Sequence, residues 1–72
     1  MIRKRSITIR GHRTSVSLEE EFWNSLRDIA ERGDTTIGGL MTDIDAARQP
    51  DENLSSAARL HVLRWYRERC RD

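Results

Sequence analysis

The sequence predicts a mainly α-helical domain with a short β-ribbon near its N-terminus and an added third helix at its C-terminal end. The spacing of apolar residues changes once along the chain, and this change indicates that order. Before Glu19, apolar and polar residues alternate, as they do in a half-buried strand. After Glu19, apolar residues recur every three or four positions, as on one face of a helix. Gly33 and the only proline, Pro50, then divide the helical part into three segments.

The 72 residues allow a single domain, which we divide into four segments. Residues 1–11 are a basic arm or an extra strand, residues 12–47 are a strand-helix-helix core, residues 48–54 are a linker, and residues 55–70 are the third helix. A chain this short buries little surface, and its one cysteine, Cys70, excludes an intrachain disulfide. Oligomerisation is the remaining way to stabilise the domain, so we expect a partner chain.

The clearest strand runs from residue 13 to residue 18. Val16 and Leu18 alternate with Ser15 and Ser17, so the two pairs lie on opposite faces. Ser17 followed by Glu20 also fits a capping box at the start of the first helix. The strand is therefore expected to lead directly into a capped helix.

Residues 5–10 alternate as well, which leaves two interpretations of the N-terminal segment. In the first, Gly11 begins a two-residue type II′ turn, and residues 5–10 form a hairpin with residues 13–18. The inward pairs of that hairpin would be Ile7 with Val16 and Ile9 with Thr14. In the second, residues 1–11 are a mobile basic arm, as their cluster of basic side chains also suggests.

Three helices are expected after the strand. The first runs from about Glu19 to Arg32, with Gly33 as its left-handed C-terminal residue. The second begins after Thr35 or Thr36, and the third is capped by a serine at position 55 or 56 and ends near residue 69. Trp23 is placed at the edge of the apolar stripe of the first helix. The apolar arc of the third helix contains Ala58, Val62, Leu63, Trp65, Tyr66 and Cys70.

The charges are strongly segregated although the net charge is only +1. Residues 1–17 carry five basic side chains and no acidic one, whereas residues 18–58 carry three basic and ten acidic side chains. Residues 59–72 carry five arginines and two acidic residues. A basic end beside an acidic body is typical of a surface that attracts phosphate, so nucleic acid is a candidate partner.

Other functional classes receive no support from the sequence. No nucleophile is spaced to pair with a base, no glycine loop of the P-loop type is present, and no His and Cys cluster suits a metal. We therefore expect no enzyme, no cofactor and no metal. Because neither a membrane span nor a signal peptide is visible, we also expect no membrane association and a cytoplasmic location.

The order strand, helix, turn, helix, with Val16 and Leu18 alternating before the first helix and Gly33-Asp-Thr-Thr-Ile37 between the helices, resembles the Arc/MetJ ribbon-helix-helix repressors. The run Gly11 to Glu19, together with Asn53-Leu-Ser-Ser-Ala57 and an Arg-rich third helix, resembles a bacterial subfamily of small ribbon-helix-helix proteins. The first resemblance covers about residues 13–47, and the second covers most of the chain.

This resemblance implies an intertwined homodimer that regulates transcription by placing a two-stranded ribbon, one strand from each chain, in the major groove of double-stranded DNA. The residues expected to contact bases are Arg13, Ser15 and Ser17. The residues expected to contact phosphates, through side chains or through backbone N–H groups at the start of the second helix, are Arg3, Lys4, Arg5, Arg10, His12, Thr36, Ile37 and Gly38. The residues expected in the dimer core are Val16, Leu18, Phe22, Leu26, Ile29, Leu40 and Ile44.

Two expectations qualify the DNA-binding interpretation. Serine discriminates bases poorly, so the DNA binding of the regulator is expected to lie between sequence-tolerant and sequence-specific. If residues 5–10 pair beside the ribbon, a dimer would display four strands, about 19 Å across, which is wider than the roughly 12 Å major groove. The alternative function is a dimeric adaptor or antitoxin-like protein that binds a partner protein through the third helix.

Overall fold

The computed structural model describes residues 1–70, in which two strands are followed by three helices. Strand β1 spans Ile2–Ile9 and strand β2 spans His12–Glu19. The helices are α1 (Glu20–Arg32), α2 (Ile37–Ala47) and α3 (Leu54–Arg69). This arrangement confirms the predicted fold class, a short β-ribbon followed by helices with one helix added at the C-terminal end.

The two strands form an antiparallel hairpin within one chain, so the interpretation of residues 1–11 as a mobile arm is wrong. The turn residues are Arg10 and Gly11, whose φ angles of 52° and 79° are both left-handed. Positive φ at both central positions is the signature of a type I′ turn, which matches the twist of the flanking strands. The predicted type II′ turn, which began at Gly11, is therefore wrong.

The turn also corrects the predicted register by two residues. Ile7 lies opposite Thr14, and Ile9 lies opposite His12, instead of the predicted pairs with Val16 and Thr14. A shift of two residues leaves every side chain on the face that alternation assigned to it. The predicted inward and outward faces are therefore correct although the pairs are not.

The hydrophobic core lies between the inward face of this hairpin and the three helices. The strands contribute four buried side chains, and the helices contribute the remainder. The buried residues are Ile7, Ile9, Val16, Leu18, Trp23, Leu26, Ile29, Ala30, Leu40, Met41, Ile44, Ala57, Ala58 and Val62. One chain thus covers its own ribbon with its own helices.

The junction between β2 and α1 differs from the prediction. Ser17 remains in the strand, the N-cap residue is Glu19, and no side chain accepts a hydrogen bond at this helix start. The expected capping box is therefore absent from the junction. The Glu19 carboxylate is used elsewhere, because it accepts a 2.9 Å hydrogen bond from Nε of Arg59 in α3.

The end of α1 shows why Gly33 is not the left-handed residue. Asp34 has the positive φ, 58°, whereas Gly33 has a φ of −88°. The N–H of Thr35 donates to the carbonyl oxygen of Ala30, and the N–H of Asp34 donates to that of Glu31. These two bonds form a Schellman motif, in which the residue after the C-cap is left-handed. Asp34 occupies that position one residue later than predicted.

The caps of the other helices agree only in part with the prediction. Thr36 caps α2 as expected, since its Oγ1 accepts a 3.0 Å hydrogen bond from the N–H of Gly39. Asn53, not a serine, caps α3, with its Oδ1 accepting from the N–H of Ser56 at 2.8 Å.

Within residues 1–70 no helix is both long enough and apolar enough to cross a membrane.

The two aromatic residues of α1 differ from the prediction, which placed Phe22 in the core and Trp23 at the edge of the apolar stripe. Trp23 is buried, whereas Phe22 is only half-buried and packs at the edge of the core. The guanidinium of Arg5 lies 4.7 Å from the Trp23 ring centroid, and that of Arg59 lies 5.8 Å from the Phe22 ring centroid. Trp23 thus belongs to the core and also contacts a charged side chain from β1, and local spacing within α1 does not reveal that contact.

Helix α3 uses a narrower face than its apolar arc predicts. Ala57, Ala58 and Val62 are buried against the rest of the chain. Leu63 and Tyr66 remain 49% and 39% exposed, and Cys70 is also exposed. One side of α3 therefore completes the core, and the other side presents apolar groups to solvent.

Candidate nucleic-acid interface

The outward face of the hairpin is formed by residue pairs that contribute nothing to the core. Three polar pairs occupy its length, and all six side chains are exposed. From one end to the turn they are Lys4 with Ser17, Ser6 with Ser15, and Thr8 with Arg13. We call these six residues the outward face. Directly opposite side chains on one side of an antiparallel pair are neighbours, so the six form one continuous strip.

The three residues expected to contact bases all lie on this strip. Arg13, Ser15 and Ser17 are exposed, whereas Val16 and Leu18 between and beyond them are buried. Strand alternation predicted these positions correctly. Contact of the three side chains with DNA bases remains a prediction.

Two of the basic residues expected to contact phosphates point away from this face. Arg3 and Arg5 share the inward side of β1 with Ile7, and both reach Glu20 at the start of α1. Nη2 of Arg5 donates a 2.6 Å hydrogen bond to Oε2 of Glu20, and Nη1 of Arg3 lies 3.6 Å from Oε1. Both guanidiniums are thus engaged by Glu20 within the chain, and phosphate contact by Arg3 and Arg5 remains a prediction.

The electrostatic effect of this arrangement falls on Glu20. Its pKa is lowered mainly by the hydrogen bond from Arg5, with a smaller contribution from the positive charges of Arg5, Arg3 and Arg27. The pKa of Glu19 is lowered in the same way, first by its hydrogen bond from Arg59. Glu19 and Glu20 at the start of α1 are thus partnered by arginines. The sequence contains a signal for the contact of Arg3 and Arg5 with Glu20. Residues 3 and 5 are separated from Ile7 by even numbers of positions, so they lie on the same side of the strand as Ile7.

The tip of the hairpin carries two more of the basic groups that were predicted to contact phosphate. Arg10 and His12 are exposed there, beside a cavity of about 270 Å³. Ile9, Arg10, His12, Thr14, Asp45, Arg48 and Leu54 line this cavity. Arg48 is already held by Asp45 at 2.8 Å and by the carbonyl oxygen of Glu52 at 2.7 Å. Arg10 and His12 make no ion pair within the described chain, so they remain candidates for phosphate contact.

The beginning of α2 lies against β1, next to the outward face. A Cβ atom added to Gly38 would lie 3.7 Å from the carbonyl oxygen of Thr8. The backbone N–H groups of Ile37 and Gly38 find no acceptor in residues 1–70, whereas those of Gly39 and Leu40 are bonded to Thr36. The close neighbour of Gly38 is thus a strand of its own chain. The two free N–H groups lie at the positive end of the helix dipole, where phosphate contact stays a prediction.

Comparison with known proteins identifies the family. A family model described as a ribbon-helix-helix domain matches residues 2–66, which is most of the chain. No curated protein and no solved structure matched the chain in the corresponding searches. Members of the matched family are in general DNA-binding and non-enzymatic, and they typically form dimers. The match includes both strands of the hairpin and most of α3, and this chain therefore belongs to the ribbon-helix-helix family.

Proposed function

We propose that this protein is a transcriptional regulator that contacts DNA through the outward face of its hairpin. The observation that carries the proposal is the division of the ribbon into two sides. The apolar side chains of the inward side are buried in the core, whereas the side chains of the outward face are polar and exposed. A two-stranded ribbon of this kind is one of the elements that the major groove can admit.

The chemistry of the outward face suits DNA. Arg13 and Lys4 are exposed and make no ion pair in residues 1–70, so both charges are available to phosphate or to guanine. Ser15 and Ser17 can donate to or accept from base edges without strong preference. We infer a regulator whose sequence preference is carried mainly by Arg13 and whose remaining affinity is largely electrostatic.

The experiment is a fluorescence-anisotropy titration of duplex DNA at two salt concentrations, comparing wild type with Arg13→Ala. The matched control is Arg67→Ala, which removes an exposed arginine from α3. If Arg13 contacts phosphate, the salt slope should fall by about one unit, and if it contacts guanine, the preference among sequences should relax. Equal binding by wild type and Arg13→Ala at both salt concentrations would remove the ribbon from the binding surface.

We also propose a homodimer, the usual assembly of the family. The residues expected in the dimer core are, apart from half-buried Phe22, buried within a single chain, so their burial does not require a second copy. The apolar groups that one chain leaves exposed on α3 are Leu63 and Tyr66. Light scattering should give twice the 8.4 kDa chain mass, and a single 8.4 kDa species at working concentrations would exclude the dimer.

The second candidate function is an adaptor or antitoxin-like protein that binds a partner protein through α3. The specific observation in its favour is the exposed aromatic and aliphatic surface of that helix. Trp65 and Tyr66 pack edge to face with ring centroids 4.9 Å apart, and the Arg69 guanidinium stacks 3.6 Å from the Trp65 centroid. Tyrosine, tryptophan and arginine are the residues that most often dominate binding energy at protein interfaces. Under this alternative, Leu63→Asp should abolish partner binding and leave DNA binding by the ribbon unchanged.

A further inference from the structure

The cavity at the tip of the hairpin lies on the side of the strands that faces the helices. His12 is paired with Ile9, whose side chain is buried in the core. Thr14 is paired with Ile7, which is also buried. His12 and Thr14 therefore belong to the inward side, and the cavity that they line is on the opposite side of the strands from the outward face.

The charged groups around this cavity leave an excess of positive charge. On the helical side, Asp45 and Arg48 neutralise each other through a 2.8 Å ion pair. On the hairpin side, Arg10 and His12 make no ion pair within residues 1–70. A guanidinium, an imidazole and the hydroxyl of half-buried Thr14 can all donate hydrogen bonds. Donors of this kind beside an unpaired positive charge suit an oxyanion, such as a carboxylate or a phosphate.

The same cavity also has an apolar wall. It is lined by Ile9, which is 7% exposed, and by half-buried Leu54 at the start of α3. An inorganic ion gains nothing from such a surface, whereas an apolar group attached to an oxyanion would be removed from water there. The cavity volume of about 270 Å³ is slightly below the usual size of ligand pockets, so the ligand that fits is small.

The backbone of the turn gives an independent reason to assign a function to Arg10. Its φ of 52° lies in the left-handed region. This position of a type I′ turn is usually occupied by asparagine, aspartate or glycine, and an arginine is less stable there because its Cβ crowds the backbone. Strained residues of this kind concentrate at ligand-binding and active sites. The strain at Arg10 therefore coincides with the one side of the cavity that carries unpaired positive charge.

We propose that this cavity binds a small organic oxyanion, a phosphate monoester or a carboxylate that carries one apolar group. Arg10, His12 and the Thr14 hydroxyl donate to the oxyanion, and Ile9 and Leu54 contact the apolar group. A bound ligand joins the tip of the hairpin to the end of α2 and the start of α3. The site goes beyond the proposed DNA binding and does not depend on it.

The first test titrates the full chain with phenyl phosphate and with benzoate, followed by ¹H–¹⁵N NMR spectra. Either probe should shift the backbone signals of Gly11, His12 and Leu54 around the cavity and leave those of Ser6 and Ser15 on the outward face in place. If only one probe does so, it identifies the head group and the proposal stands. Phenyl phosphate should bind about fivefold or more tightly than inorganic phosphate, because its ring contacts the apolar wall. Equal affinity for the two phosphates, or binding of uncharged benzyl alcohol as tight as that of the anions, would overturn the proposal.

The second test removes the donors without unfolding the protein. Arg10→Asn deletes the guanidinium and introduces a residue that the turn favours, so it should weaken binding of the probe about tenfold or more while raising the melting temperature by about 2–6 °C. Thr14→Val keeps the shape of the side chain and should weaken binding about threefold or more. Arg67→Asn removes an exposed arginine from α3 and should change the affinity by no more than about twofold. Unchanged affinity in both cavity variants, or an equal loss in Arg67→Asn, would overturn the proposal.

The third test separates a small ligand from DNA phosphate, the other source of an oxyanion. The dissociation constant of phenyl phosphate should agree within about twofold with and without duplex DNA, because the outward face is on the other side of the strands. Displacement of the probe by DNA would assign Arg10 and His12 to contacts with the DNA backbone and overturn the proposal. Failure of wild type to bind DNA would refute the proposed function alone, since the probe titrations require no DNA.

Discussion

The packing of α3 yields a prediction that two neighbouring residues can test. Val62 is 5% exposed and Leu63 is 49% exposed, although both were expected on one apolar arc. Val62→Ala removes two methylene-sized groups from the core, worth about 0.8 kcal/mol each, and leaves a small cavity that adds to the loss. The better helix propensity of alanine returns up to about 0.6 kcal/mol. The net loss of stability should therefore be about 1–2 kcal/mol.

The assay is thermal unfolding followed by circular dichroism at a fixed protein concentration. In a domain of this size, 1 kcal/mol shifts the melting temperature by about 4–8 °C, so Val62→Ala should lower it by about 4–16 °C. Leu63→Ala should remain within about 0.5 kcal/mol of wild type, as surface substitutions usually do. A larger loss for Leu63→Ala than for Val62→Ala at every protein concentration would show that α3 is rotated and would refute the packing of α3 described above. A loss that appears only at concentrations where the dimer forms would instead place Leu63 at the contact between two copies.

Two further predictions concern the ribbon. Val16→Asp should unfold the domain, because burial of a carboxylate at a site that is 2% exposed costs several kcal/mol. Ser15→Asp should keep the circular dichroism spectrum of wild type. It should lose DNA binding, because the added carboxylate repels phosphates. Because the folded-state pKa of Glu20 lies below the ordinary 4.5, its contribution to stability is complete above that pH and is lost as the pH falls through the folded value. Glu20→Gln should therefore flatten the fall of melting temperature below pH 4.5 more than Glu21→Gln does, and equal profiles would contradict the role given to Arg5.

The faces of the ribbon could be predicted from the sequence, but its register could not. Alternation has a period of two, so any pairing shifted by two residues buries the same side chains. The turn decides between such pairings. Here the turn consists of two consecutive residues with positive φ, Arg10 and Gly11. Only Gly11 is a glycine. An arginine in the left-handed region is uncommon, and the amino-acid composition does not predict it. The predicted turn therefore started one residue too late.

The contacts that order the start of α1 lay beyond the reach of local patterns. Glu19 is held by Arg59, 40 residues away, and Glu20 by Arg5, 15 residues away. Capping rules and helical spacing consider only neighbours in sequence, so they favoured a capping box and placed Trp23 at the edge of the stripe. The outward face was predicted more accurately, because exposure of Arg13, Ser15 and Ser17 follows from alternation alone.

The two-residue turn between β1 and β2 has a consequence for how the domain folds. Because that turn directly connects the two paired strands, the whole sheet consists of segments within the first 19 residues. Isolated hairpins form in about 1–10 μs, and proteins rich in local contacts fold quickly. Formation of the β1–β2 hairpin should accordingly be a unimolecular step, with a rate that stays constant when the protein is diluted.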